Sequence, residues 1–176
     1  MYKQVIVANK ELNMSPGKLA AMCSHGSIAF LCHWLRRNVA TDIGTFTDYT
    51  IKPTARIDKE LFAQWINGSF TKIILEVENT EEMKRIVEKA HECGFVNTVD
   101  FFNIVDESTE FMDIPQWAVI AFAPMEAERI NEVTGDLTLY GHERIDDVLT
   151  GMPLDETNES IDKVLEVAEA YIKAQR

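Results

Sequence analysis

The chain has 176 residues, 46% of them hydrophobic, enough for one domain with a sizeable core. Its net charge of −12, from 17 Lys or Arg against 29 Asp or Glu, excludes a broadly cationic surface, so any binding of a polyanion must rest on a local patch such as Lys10, Lys18, Arg36 and Arg37. Three scattered cysteines, Cys23, Cys32 and Cys93, fit buried thiols and neither a disulfide framework nor a zinc site.

Residues 3–8 form a mostly apolar run, as expected of a strand covered on both faces. A helix is expected from Ser15 to about Arg37, with Ser15 as cap and Pro16 at its first position. The strand therefore feeds a helix N-terminus, where unpartnered N–H groups together with Lys18 can hold an anion. Lys18, Met22, His25 and Ala29 fall at helical spacing along one stripe, with Leu19, Cys23 and Phe30 suited to packing beside it. Residues 38–56 lose both periodicities and read as a long surface excursion. A helix over 58–66, capped by Asp58 and stopped near Asn67 and Gly68, leads to a second strand at 72–77.

Asn79 opens the next helix, with Glu81 and Glu82 in its first turn and Met83, Ile86, Val87 and Ala90 toward the core until Gly94. A third strand is expected within 97–105, a loop over 106–115, and a fourth strand over 117–123, closed by Pro124. A short helix over 126–133 and a candidate edge strand over 136–140 follow. From residue 141 the chain carries four Lys or Arg against nine Asp or Glu and ends in an amphipathic helix over about 159–174. Residues 1–140 still hold 13 basic against 20 acidic residues, a net −7. Trp34 and Trp65 are expected as core anchors. No apolar run is long enough to span a bilayer, and the first residues show no signal-peptide layout, so a cytoplasmic location is expected.

Several of these stretches, taken in order, resemble the peptidyl-tRNA hydrolase 2 family. The segment from Met14 to His25 is similar to that family's first-helix signature. Trp65 and Gly68 before the strand at 72–77, and Asp106 after the third strand, match its next landmarks. The run from Ala118 to Pro124, followed by Ile130 to Leu137 with its Val133-Thr134-Gly135, resembles the family's closing strand and motif. The resemblance covers most of residues 3–140, with 141–176 as a C-terminal extension. It implies an α/β fold of three layers, α/β/α, around a small mixed sheet of about four strands, often in a homodimer. It also implies hydrolysis of the ester joining a peptide to the terminal ribose of tRNA, without a cofactor.

On that resemblance Lys18 and Asp106 are the expected catalytic pair, with Thr109 or Glu110 assisting. Met22, His25 and Gln116 are expected to contact substrate. The sequence departs from the family at Met22, where a glutamine is usual; at Glu110, in the ungapped place of a threonine; and at Gln116, also in place of a threonine. These departures keep two alternatives open: a catalytically impaired member acting as a binding or regulatory module, and a hydrolase of a different small ester or amide. Read from its neighbours alone, His25 is a hydrogen-bonded structural histidine. His33, His91 and His142 lack ligand spacing, so no metal site is expected. Gly17-Lys18 is not a P-loop, since the upstream glycine and the following Ser or Thr are missing.

Overall fold

The computed structural model describes residues 1–38, 59–106 and 116–141. The excursion from residue 39 onward, the Asp58 cap, Thr109, Glu110 and the helix expected over 159–174 lie outside the described residues. The chain divides into two units, Met1–Tyr140 and Gly141–Arg176, and the elements named here belong to the first.

Strand β1, Tyr2–Asn9, is buried from Gln4 onward. A 3-10 turn, Lys10–Leu12, leads to helix α1, Pro16–Asn38. Ser15 caps α1 as expected, its Oγ accepting from the Lys18 N–H at 3.3 Å. Helix α2, Lys59–Leu61, runs on into a π-helical stretch, Phe62–Ser69, that loses helical dihedrals at Gly68. Strand β2, Lys72–Val77, and helix α3, Thr80–Glu92, follow. The Asn79 side chain accepts from the Glu82 N–H, and Gly94, at φ 79°, takes the left-handed turn just beyond the helix end. Strands β3, Phe101–Asp106, and β4, Gln116–Phe122, precede the two-residue strand β5, Met125–Glu126. Helix α4, Ala127–Thr134, and strand β6, Thr138–Leu139, complete the unit.

The sheet runs β3-β4-β1-β2-β6, with β5 paired beside β1. It is mixed, because β1 and β2 are parallel while β4 and β5 run antiparallel to β1, and β6 antiparallel to β2. Six strands stand where about four were expected, and the two extra are the two-residue strands β5 and β6. Strand β6 falls inside the edge strand expected over 136–140. Strand β5 lies where a helix start was read, and its pairing to Tyr2 and Lys3 is long-range.

Alternation along the strands sends side chains to two clusters. One holds Val5, Val7, Ile120 and Phe122 with Met83, Ile86 and Ala90 of α3 and Ile130 and Val133 of α4. The other holds Ile6, Ala8, Val119 and Ala121 with Cys23 of α1, and Leu19 and Met22 pack against it half-buried. Trp65 is buried as expected, its indole N–H donating to the Thr71 carbonyl at 2.9 Å; Trp34 is half-buried. Of the three free cysteines only Cys23 is buried, which pushes its thiol pKa up; Cys32 and Cys93 are partly exposed, against the expectation of three buried thiols.

Two features seat α1 on the sheet. Gln4, fully buried in β1, donates from Nε2 to the carbonyls of Ser27 and Phe122 at 3.0 and 3.2 Å. Gly26 lies so close that a Cβ there would meet the Ala121 Cβ at 2.7 Å and the Val119 Cγ2 at 3.4 Å. Neither of those atoms is the far end of a flexible side chain. Gly26→Val is therefore expected to cost about 2 kcal/mol through overpacking, in spite of the gain in helix propensity. A thermal melt lowered by several degrees checks this, and an unchanged melting temperature would contradict the close seating of α1.

Candidate functional site

In this topology β1, β2 and β3 all point their carboxyl ends the same way, since β3 and β1 both lie antiparallel to β4. Asn9, Val77 and Asp106 therefore end together, and the first turns of α1 and α3 follow β1 and β2 at that end. Sites in open α/β sheets gather at such an edge.

Asp106 ends β3 with its side chain only 1% exposed. The Lys18 ammonium, in the first turn of α1 and about a third exposed at 32%, forms an ion pair with Asp106 Oδ2. Lys18 lies eight residues before Gly26, about 12 Å along the helix, so the close approach at Gly26 and the Gln4 bond to Ser27 fix where the ammonium falls. The cation expected to hold an incoming anion already holds a carboxylate of the chain itself. The result is a buried base beside a partly exposed ammonium, which can accept a proton at one end and stabilise a developing negative charge at the other.

Gln116 is the cross-strand partner of Asp106. It borders a cavity of about 450 Å³ lined also by Glu11, Asn79, Thr80, Glu81 and Arg85. Glu11 accepts from the Thr80 N–H and hydroxyl at 2.9 and 2.8 Å, and these bonds hold its carboxyl below the ordinary range. Met22 turns toward the sheet and packs half-buried against the cluster under α1. His25 is exposed and lines a second cavity between α1 and β3, of about 480 Å³. Its setting is thus a cavity wall, against the reading of a hydrogen-bonded structural histidine.

Within the proposed basic patch, Lys10 is tied to Glu78 at 2.9 Å and Glu76 at 3.3 Å, and the Glu78 bond is the larger cause of its raised pKa. With Lys18 on Asp106, Arg36 is the member of the set that borders a cavity; the Arg37 side chain lies outside the description. Among the described residues, no group of three or more His, Cys, Asp or Glu is placed to hold a metal ion. No described helix is long and apolar enough to cross a membrane.

Asn9 is a site-bordering residue that reading the sequence missed. Buried at the end of β1, it donates from Nδ2 to Thr80 Oγ1 at 3.1 Å and to the Trp117 carbonyl at 3.2 Å, while its Oδ1 accepts from the Glu11 N–H at 3.1 Å. An asparagine closing an otherwise apolar strand was the available signal. Asn9→Ala is expected to cost about 2 kcal/mol, because it deletes the three hydrogen bonds of a side chain that is itself buried. A melting temperature lowered by several degrees checks this, and wild-type stability would show that the three bonds are replaceable by water.

The family described as peptidyl-tRNA hydrolase PTH2 matches residues 2–140. A peptidyl-tRNA hydrolase of Nanoarchaeum equitans is 33% identical over 141 residues, covering 80% of this chain and 100% of the relative. Similar proteins of the same name occur in Thermococcus sibiricus, 27% identical over 78% of this chain and 97% of the relative, and in Haloquadratum walsbyi, 28% identical over 78% and 99%.

Proposed function

The chain belongs to the peptidyl-tRNA hydrolase PTH2 family, and from that premise we propose that it hydrolyses the ester between a peptide and the terminal ribose of tRNA, with Lys18 and Asp106 as its catalytic pair. The observation that carries this reading is the ion pair between the partly exposed Lys18 ammonium and the buried Asp106 carboxylate at the carboxyl end of the sheet.

In the first step Asp106 takes a proton from a water while that water's oxygen bonds to the ester carbonyl carbon. The carbonyl oxygen becomes an oxyanion, and the Lys18 ammonium stabilises it. Collapse breaks the bond to the ribose oxygen, which leaves with the proton held by Asp106, so peptide acid and tRNA are released. Thr109 and Glu110, three and four residues beyond Asp106, are proposed to help place the water. Gln116, from its cavity beside Asp106, and His25, on the α1 stripe, are proposed to contact substrate, and Met22 to set the floor under Lys18. The reaction is placed in the cytoplasm, and the chain is taken as a homodimer, a state that sedimentation would measure.

The test is release of peptide from an N-acetyl-aminoacyl-tRNA by the purified chain, with N-acyl amino-acid methyl esters run beside it. Turnover of the tRNA substrate far above the small esters is the expected result. Release confined to the small esters, or none at stoichiometric enzyme, would overturn the reading.

A further inference from the structure

We infer that the cavity between α1 and β3 is a nucleotide subsite, holding one base and its phosphate along α1 beyond the Lys18–Asp106 pair. It is lined by eleven residues, among them His25, Ile28, His33, Arg36, Thr98 and Phe102, and not one of the eleven is acidic. In a chain with 29 Asp or Glu, an acid-free cavity carrying an arginine and two histidines is a local reversal of charge, suited to an anion.

Its walls also suit a flat ring. The His33 and Phe102 rings lie 5.8 Å apart at 57°, and Ile28 and Ile104 add apolar surface. Stacking on such rings is the sequence-tolerant way of holding an unpaired base. The His33 ring lines the cavity, and its Nε2 is buried without a hydrogen-bond partner among the described residues. Strand β3 is the edge of the sheet; its outer side is bridged at Phe101 by Asn97, with the Thr98 N–H donating to the Phe101 carbonyl at 2.8 Å, and beyond that bridge its backbone can meet the edge of a base. Thr98, a β-branched residue, is held at φ 64° on the cavity rim, a backbone strain of the kind that persists at ligand clamps.

Position favours the same occupant. Asn103 and Ile104 line the cavity two or three residues before Asp106, about 7–10 Å along the strand. That is the near wall; Phe102 lies about 13 Å before Asp106 along the strand, and His33 and Arg36 about 22 and 27 Å from Lys18 along α1, so the nucleotide held there is further along the tRNA end than the one carrying the ester. The inference rests on the proposed reaction for the identity of the strand, but its test does not depend on turnover.

Cytidine and adenosine 5′-monophosphate are titrated into the full chain, followed by the His33 and Phe102 ring signals in NMR, the Phe102 signals serving for the His33→Phe variant, with inorganic phosphate as comparator. Both nucleotides should shift those signals and inorganic phosphate should bind at least tenfold more weakly. Arg36→Ala and His33→Phe, the latter keeping the ring and deleting its nitrogens, should each weaken nucleotide binding fivefold or more, while Lys18→Ala should retain it. In hydrolysis, Arg36→Ala should raise KM more than it lowers kcat. Nucleotides that leave the His33 signals unmoved, phosphate that binds as well as nucleotide, or wild-type binding by both variants would overturn the subsite. Nucleotide binding without hydrolysis would uphold the subsite while removing the proposed reaction.

Discussion

Asp106→Asn is expected to lower kcat for peptide release from peptidyl-tRNA by about 10²–10⁴-fold with a much smaller change in KM. The amide has the shape of the carboxylate and can still accept a hydrogen bond from Lys18, so the end of β3 keeps its packing. What it loses is basicity. At 1% exposure there is little room for bulk water to take over the proton, and the loss falls on the chemical step. The Lys18 ammonium left behind is about a third exposed and can hydrate, so the melting temperature should fall only modestly. A variant with wild-type kcat would remove Asp106 from the mechanism.

Lys18→Ala is expected to lower kcat/KM by about 10²–10³-fold, the scale of losing one oxyanion donor, and to cost stability as well. The asymmetry of the pair causes the second effect. Removing Lys18 takes the balancing opposite charge from a buried carboxylate, which costs on the order of 3 kcal/mol. The two variants should thus differ in kind: Asp106→Asn mostly kinetic, Lys18→Ala both kinetic and thermodynamic. Comparing thermal melts of the two with their single-turnover rates checks this. If Lys18→Ala melts like the wild type, the Asp106 charge is compensated elsewhere and the pair is not the unit described.

The parts of this fold that local chemistry decides were legible in the sequence. Ser15 before Pro16 announced the start of α1, Asn79 the start of α3 and Gly94 its end, because caps and left-handed turns are set by a few neighbouring residues. Strands β1, β2 and β4 were legible as apolar runs. What depended on distant pairing was not. Strand β5 exists because Met125 and Glu126 meet Lys3 and Tyr2, more than 120 residues away, and nothing in its own two residues marks it. The π-helical stretch after Leu61 likewise gave no local sign.

The site divides in the same way. Lys18 and Asp106 were readable as individuals, and their ion pair followed once the strand order was known. Met22 follows Lys18 by one turn, and α1 packs Leu19 and Met22 half-buried, with Cys23 and Gly26 buried, toward the sheet. The tight seat at Gly26 rotates that face inward, and no helical wheel registers a contact with Ala121. The Lys10 cation looked available until the fold set Glu76 and Glu78 beside it. In the sequence His33 lacks ligand spacing and Arg36 belongs to a small basic patch; the cavity that brings them together also requires β3, more than 60 residues on.

Hydrolysis of peptidyl-tRNA by the Lys18–Asp106 pair can be watched directly. Its most direct measurement is the time course of peptide release from N-acetyl-aminoacyl-tRNA by the purified full chain, wild type beside Asp106→Asn at equal folded concentration. Repeated turnover by the wild type and a rate at least a hundredfold lower for the variant is the predicted result; equal rates, or no release by the wild type at stoichiometric enzyme, would contradict it.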